Sequence, residues 1–286
     1  MRKPSSPAWP HLRRQGTAAQ LIVNGSPFLL LAGEVHNSSA SSLPYMETVF
    51  DRLASLQLNT VLTPLYWELI EPEEGRFDFT LLDGLIAGAR RRGMRLVFLW
   101  FGTLKNAVSS YAPPWVKTDL ERFPRAESKP GERTTALSVF CDETARCDAR
   151  AFAAVMTRIR EVDRRDHTVL MMQVENEPGI LGTSRDRGAA AERALAGPVP
   201  ATLCKHLSRH RASLRPELLA AWARAGSRQE GSWSQLFGAE ADEVFMAWHT
   251  ARFLERVAAA GRRAYDLPMY ANAWLVSGPD SRPGQY

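Results

Sequence analysis

The sequence predicts an α/β protein built on a parallel sheet, most simply a (β/α) barrel, and three observations carry that reading. Runs rich in Val, Leu and Ile alternate with segments of helical periodicity through most of the 286 residues, the pattern of strands covered on both faces. No glycine-rich phosphate fingerprint follows any of these strands, which weakens the competing doubly wound, dinucleotide-binding sheet. Polar residues gather just after the strands, and a barrel would bring all of those ends to one face.

Taken in order, residues 1–18 read as an irregular lead-in, and 19–286 as one barrel-type domain. Asn24-Gly25 sits between the apolar runs 20–23 and 27–31. Both residue types tolerate positive φ, so the pair predicts a tight β-hairpin. Strands are then expected at 28–35, 59–65, 96–101, 168–174 and 267–274. The helices between them are expected at 45–56, 81–92, 149–162 and 239–260, with Gly93 and Gly261 as stops. The prolines at 113, 114, 124 and 130 mark a long loop. Residues 183–238 break the alternation and read as a partly helical insertion, with Pro216 suited to a first helical turn. The expected architecture is therefore the N-terminal part of a TIM (β/α)8-type barrel, about five βα units preceded by a hairpin.

Composition narrows the function. The net charge of +5 comes from scattered arginines, without a basic stripe interleaved with aromatics, which argues against nucleic-acid binding. No run of 18 apolar residues predicts a membrane span. Three cysteines are too few for a disulfide scaffold; Cys141 and Cys147 are near enough for a local bridge that nothing requires. No His/Cys cluster has zinc spacing, so no metal or other cofactor is expected. Residues 1–14 lack the apolar stretch of a signal peptide, which leaves a cytoplasmic or a periplasmic location open. The sequence leaves the oligomeric state open, a homo-oligomer included.

The sharpest chemical signal is Asn176-Glu177-Pro178 at the end of a buried strand. A carboxyl on a rigid element in a partly desolvated pocket can keep its proton near neutral pH and act as a general acid. Glycoside cleavage needs such an acid against the leaving oxygen, and Asn176 could bond a sugar hydroxyl. Glu175 alternates with Asn176 and is expected to be structural. Trp67 could stack on a sugar ring. Glu34 and His36 after the first strand, Lys105 and Asn106 after the third, and Trp274 after the fifth complete the candidate substrate contacts. Glu73, Glu74 and Asp78 read as a solvated turn whose Phe77 and Phe79 dock on the core. Ser109 and Ser110 lack an activating partner.

Four segments match one family in order and spacing: Ala32-Gly33-Glu34-Val35-His36; Leu58-Asn59-Thr60-Val61; Trp67 with Glu71-Pro72-Glu73-Glu74-Gly75-Arg76-Phe77-Asp78-Phe79; and Gln173-Val174-Glu175-Asn176-Glu177. Together they resemble the retaining clan A glycoside hydrolases, and within it the family 35 β-galactosidases, as a divergent bacterial branch with some likeness to family 42. The resemblance implies an eight-stranded barrel, a carbohydrate substrate, Glu177 as acid/base and Asn176 as a sugar contact. Pro64 stands where that family has Tyr, Glu68 where it has Asn, Lys105-Asn106-Ala107 replaces a Cys-Ala-Glu-Trp segment, and Pro178 replaces Tyr. These departures bear on the sugar more than on the reaction. They keep a hydrolase of a xylan, mannan or arabinoside in play.

The clan places its nucleophile after the seventh strand, whereas five strands are expected here. No glutamate follows Glu255, and the later carboxylates are Asp266 and Asp280. The nucleophile is therefore missing from this reading. A truncated chain with an unpaired sheet edge, poorly soluble or inactive alone, is the expectation. A non-catalytic carbohydrate-binding fragment is the alternative.

Overall fold

The structure, a computed structural model, describes residues 9–274. Ten strands follow in chain order: β1 (His11–Gln15), β2 (Ala18–Val23), β3 (Ser26–Pro27), β4 (Ala32–Glu34), β5 (Thr60–Tyr66), β6 (Arg95–Lys105), β7 (Arg125–Lys129), β8 (Glu132–Leu137), β9 (Val169–Asn176) and β10 (Met269–Tyr270). The helices are α1 (Leu43–Ser55), α2 (Trp67–Ile70), α3 (Thr80–Arg91), α4 (Pro114–Lys117), α5 (Asp142–Asp163), α6 (Ala189–Ala196), α7 (Ala201–Arg209), α8 (Pro216–Arg224), α9 (Trp233–Phe237) and α10 (Ala241–Ala264).

The central sheet has the order β10-β9-β6-β5-β4, with every neighbouring pair parallel. Spatial order follows chain order with no reversal. Right-handed crossovers then put α1, α3, α5 and α10 on one face of the sheet. A doubly wound sheet would need a reversal, so the strand order itself supports the barrel reading. The curvature agrees: the charge of Glu34 on edge strand β4 is felt by Tyr270 on the opposite edge strand β10. The two edges therefore approach across a concave trough. Among the described residues, neither β4 nor β10 pairs with a further strand on its outer side.

Several expectations are refined. The lead-in is not irregular at 11–15: β1 pairs antiparallel with β2 around Gly16-Thr17, while residues 1–8 lie outside the described part. The Asn24-Gly25 turn forms as expected, with φ of 51° and 80°, between β2 and β3. The first barrel strand shrinks from 28–35 to Ala32–Glu34. Its upstream backbone is held by a side chain, since Asn59 donates to the Leu29 carbonyl and accepts from the Leu31 amide. The long loop contains the hairpin β7–β8. The fifth strand is two residues long rather than spanning 267–274.

Two positions show packing deciding local choices. Pro64 lies in a buried strand, where a missing N–H usually breaks a ladder. Leu62 faces β4, and the Val35 amide bonds its carbonyl. Pro64, two residues on, faces the same side past the last residue of β4, so its absent donor breaks no pairing. Gly261 does not stop α10 but lies within it. A Cβ there would come within 2.3 Å of the Phe152 ring, so its smallness lets α10 close on α5.

The main core fills the space between sheet and helices, with Trp100, Phe98, Phe152 and Val155 at its centre. The 183–238 segment builds a second apolar cluster from Trp222, Trp233, Leu236 and Phe237, sealed by Phe245 of α10. Asp186 fastens this segment to the β7–β8 hairpin, accepting from Glu127 N, Ser138 Oγ and Gly188 N. No helix among the described residues is long and apolar enough to cross a membrane.

Candidate active site

The site lies at the C-terminal ends of β4, β6, β9 and β10. Strand β6 is longer than its partner needs. Trp100 pairs with Val174 and Lys105 with Asn176, so the four residues 101–104 stand opposite Glu175 alone. The bulge re-aims both strand ends. Glu175 (φ 60°), Glu177 (φ 45°), Asn106 (φ 55°) and Ala107 (φ 56°) all adopt positive φ. Each such non-glycine residue costs on the order of 1–3 kcal/mol, which concentrates strain where β6 and β9 end.

That strain is held by named bonds. The Asn106 amide donates to the Asn176 carbonyl and the Ala107 amide to the Glu177 carbonyl, both at 3.0 Å. The Glu177 amide donates to Asn272 Oδ1 at 2.7 Å. Glu177 is thus fixed by the chain after β6 on one side and after β10 on the other, with its side chain half-buried at the mouth. Asn176 beside it is buried, and its Oδ1 has no hydrogen-bond partner among the described residues.

Lys105 is also buried, with Nζ bonded to Asn106 Oδ1 and 4.9 Å from the Phe101 ring centroid. Burial pushes its ammonium below the ordinary lysine range, opposed by the charges of Glu177 and Glu34. The Phe101 ring packs against Tyr66 and Tyr111, giving the trough an aromatic floor. Burial, reinforced by Glu34, pushes the Tyr270 phenol up to about 12. Glu34 and His36 are exposed at the end of β4.

Glu34, Lys105, Asn106, Asn176, Glu177 and half-buried Trp274 therefore sit on strands or strand ends that converge on one face, and His36 flanks them. Trp67 does not reach it. Its ring is fully buried, it meets Trp115 edge-on, and Nε1 donates to Glu71 at 2.9 Å. The helical turn α2 starts at Trp67 and turns the ring inward, a change of direction that strand alternation does not foresee. Buried Glu71 also accepts from the Gly75 amide and pairs with Arg150, so part of the matching motif is structural. Phe77 and Phe79 stack against the core, and Glu74 pairs with Arg122. Ser109 Oγ is engaged by the Leu137 amide. The sequence reading missed Tyr270 and gave Asn272 no role. Asn272 had one signal, a polar residue just after a short apolar strand.

Among the described residues, Glu74, Glu143 and Cys147 lie close enough to share an ion. Arg122 and Arg146 already bond these carboxylates, and burial pushes the Cys147 thiol up to about 11. This is an ion-pair network. All three cysteines are free.

The sequence model of glycoside hydrolase family 42, described as β-galactosidase, matches residues 44–196. A β-galactosidase of Xanthomonas manihotis is 37% identical over 73 residues, 26% of this chain and 12% of the relative. A family 42 β-galactosidase from G. stearothermophilus superposes with a TM-score of 0.55 at 17% identity, covering 85% of this chain and 35% of that one. The catalytic domain of a β-amylase from Paenibacillus polymyxa gives 0.58 at 11% identity, covering 89% and 69%. At these identities the structural likenesses speak for the fold. The chain spans about a third of the family 42 structure and about an eighth of the curated relative. The family match corrects the expected family 35, to which the four segments pointed first, in favour of the secondary likeness. A match over residues 44–196 takes in more than half of the 286 residues, from α1 through the β9 strand end that carries Glu177: this chain belongs to glycoside hydrolase family 42, the β-galactosidase family.

Proposed function

We propose that the chain carries the acid/base part of a retaining glycoside hydrolase site for β-galactosides. Glu177 protonates the leaving oxygen and later activates water, and Asn176 binds a sugar hydroxyl. The observation that carries the reading is the placement of Glu177. It is half-buried on a strained strand end, with its backbone bonded by Asn272 and Ala107. Beside it Asn176 Oδ1 lies buried without a partner among the described residues. Buried polar atoms are normally paired, so a hydroxyl donor from a ligand would complete the site. Lys105, Asn106, Glu34, His36 and Trp274 are the proposed further contacts. The tyrosine and phenylalanine floor suits the apolar face of a sugar.

Retention needs a second carboxyl about 5–5.5 Å from the first, and we assign that role to none of the described residues. Asp266 precedes β10 and so lies at the far end of the barrel from Glu177. Asp280 lies outside the described residues. A second reading, sugar binding without turnover, is favoured by that observation. Titration of the 286-residue chain with galactose, run beside turnover assays on lactose and a panel of nitrophenyl glycosides with a form of the protein in which a second carboxyl is present, separates the two. The lead reading expects β-galactosides to be the best substrates. Binding without hydrolysis would establish the second reading, and preference for a xyloside, mannoside or arabinoside would reassign the sugar. Glu68 is tied to Lys117, which also bonds the Ser110 carbonyl.

A further inference from the structure

Beneath the strand ends lies a polar cluster that the proposed reaction does not use. The bulge in β6 leaves the Thr103 and Leu104 amides without backbone partners on β9. Two buried carboxyls take them. Asp148 of α5 accepts from Thr103 N at 2.8 Å, Thr103 Oγ1 at 2.6 Å and Trp100 Nε1 at 2.8 Å. Glu175 of β9 accepts from Leu104 N at 2.5 Å and, more distantly, from the same Thr103 N at 3.2 Å. One N–H thus lies within reach of both carboxyls, which are neighbours at a site fully closed to solvent. Gly102 makes room for them, since a Cβ there would lie 2.6 Å from Glu175 Oε1 and 2.7 Å from Asp148 Oδ2.

Two adjacent buried carboxylates cannot both ionise without a compensating cation. Among the described residues neither pairs with a lysine or arginine: the α5 arginines nearby, Arg146 and Arg150, are bonded to Glu143 and Glu71. Three protein donors, Thr103 N, Thr103 Oγ1 and Trp100 Nε1, point at Asp148. Glu175 Oε2 takes the short bond from Leu104 N, while Oε1 has only the long contact from Thr103 N, so Oε1 is the oxygen placed to carry a proton toward Asp148.

We infer that Asp148 and Glu175 share one proton, carried by Glu175, and form a buried buttress that positions the ends of β6 and β9. The pair joins α5, β6 and β9 immediately before Lys105-Asn106 and Asn176-Glu177. Asp148 and Glu175 are positioning residues. Their bearing on catalysis rests on the proposed role of Glu177, whereas the shared proton does not. Burial and the neighbouring Asp148 charge raise the Glu175 carboxyl well above its ordinary range. The folded state therefore holds a proton that the unfolded chain releases above about pH 4.5, and stability contributed by this group falls as pH rises above that point. Glutamine imitates the protonated acid, accepting from Leu104 N and donating to Asp148, without that pH dependence. Asparagine at 148 cannot do the same, because its NH2 would face a donor.

The test is thermal unfolding of the full 286-residue chain and its variants between pH 5 and 8, which involves no sugar. Glu175→Gln is expected to match the parent near pH 5 and to gain roughly 2–4 °C or more by pH 8. Asp148→Asn and Glu175→Leu are expected to melt lower than Glu175→Gln at every pH, or to fail to fold. Parallel profiles for the parent and Glu175→Gln, or an Asp148→Asn variant as stable as Glu175→Gln, would overturn the shared proton. If the profiles diverge as expected while no glycoside is hydrolysed, the buttress stands and only the catalytic reading falls.

Discussion

Glu175 and Glu177 are the same residue type two positions apart, and their surroundings differ completely. The Glu175 side is a closed junction of α5, β6 and β9 in which the Asp148 and Glu175 carboxyls take bonds from Trp100, Thr103 and Leu104. The Glu177 side is an open trough, where the backbone is tightly bonded and the side chain is left available. Strand alternation alone would put the two on the same face. Positive φ at both residues and the β6 bulge break that alternation. The difference teaches that a carboxyl's role follows from its donors and its solvent access rather than from its place in a motif.

Substitutions can break this contrast from either side. The largest effect is expected on the open side: in a form of the protein in which a second carboxyl is present, Glu177→Gln should lower hydrolysis of natural disaccharides by roughly 10²–10⁴-fold, the usual worth of a general acid/base. Much of the first step with activated aryl glycosides should survive, as leaving-group assays would register; unchanged disaccharide turnover would remove Glu177 from the mechanism. On the closed side, Gly102→Ala inserts a Cβ within 2.4–2.7 Å of Trp100, Glu175 and Asp148. It should cost roughly 3 kcal/mol or more by denaturant unfolding, at the upper end of overpacking penalties. A loss below about 1 kcal/mol would mean that the junction yields.

The pH signal of the buttress has a counterpart of opposite sign. Burial pushes the His249 imidazole down to about 4, among Phe140, Phe245 and Trp233. Here the unfolded chain binds the extra proton. Stability from this group is complete above about pH 6.5 and is lost as pH falls toward 4. His249→Gln should flatten the acid limb of a stability–pH curve and leave the region above pH 7 unaltered.

Smaller effects sharpen the comparison further. Asn272→Ala removes the acceptor of the Glu177 amide and should cost about 1 kcal/mol, with a fall in turnover larger than any change in KM. An equal fall in both would show that Asn272 supports binding rather than position. The exposed Arg76–Glu73 pair provides the baseline: Arg76→Ala should shift stability by about 0.5 kcal/mol or less.

The fold was legible because apolar periodicity and turn chemistry are local. Asn24-Gly25 announced its hairpin, Gly93 ended α3 with φ 65°, and the apolar runs at 59–65 and 168–174 read as buried strands close to where β5 and β9 form. Elements held by distant partners were not legible. The segment before β4 is kept out of the strand by the Asn59 side chain. The β7–β8 hairpin lies inside a proline-marked loop and is anchored by Asp186. Of the candidate site, Asn176, Glu177, Lys105 and Asn106 could be named from strand-end position. Trp67 could not be placed correctly, because its direction depends on α2 and on Glu71.

By itself, then, the sequence determined the parallel sheet, the end of it that carries polar side chains, and the glutamate at the mouth, since all three follow from patterns within a few residues. Only the tertiary structure decided that the strands run in unbroken order around a trough, that Trp67 is core, and that Glu175 meets Asp148. Those outcomes depend on contacts between residues far apart in the chain, such as position 148 on a helix and 175 on a strand. No local pattern encodes whether two such carboxyls will share one amide donor.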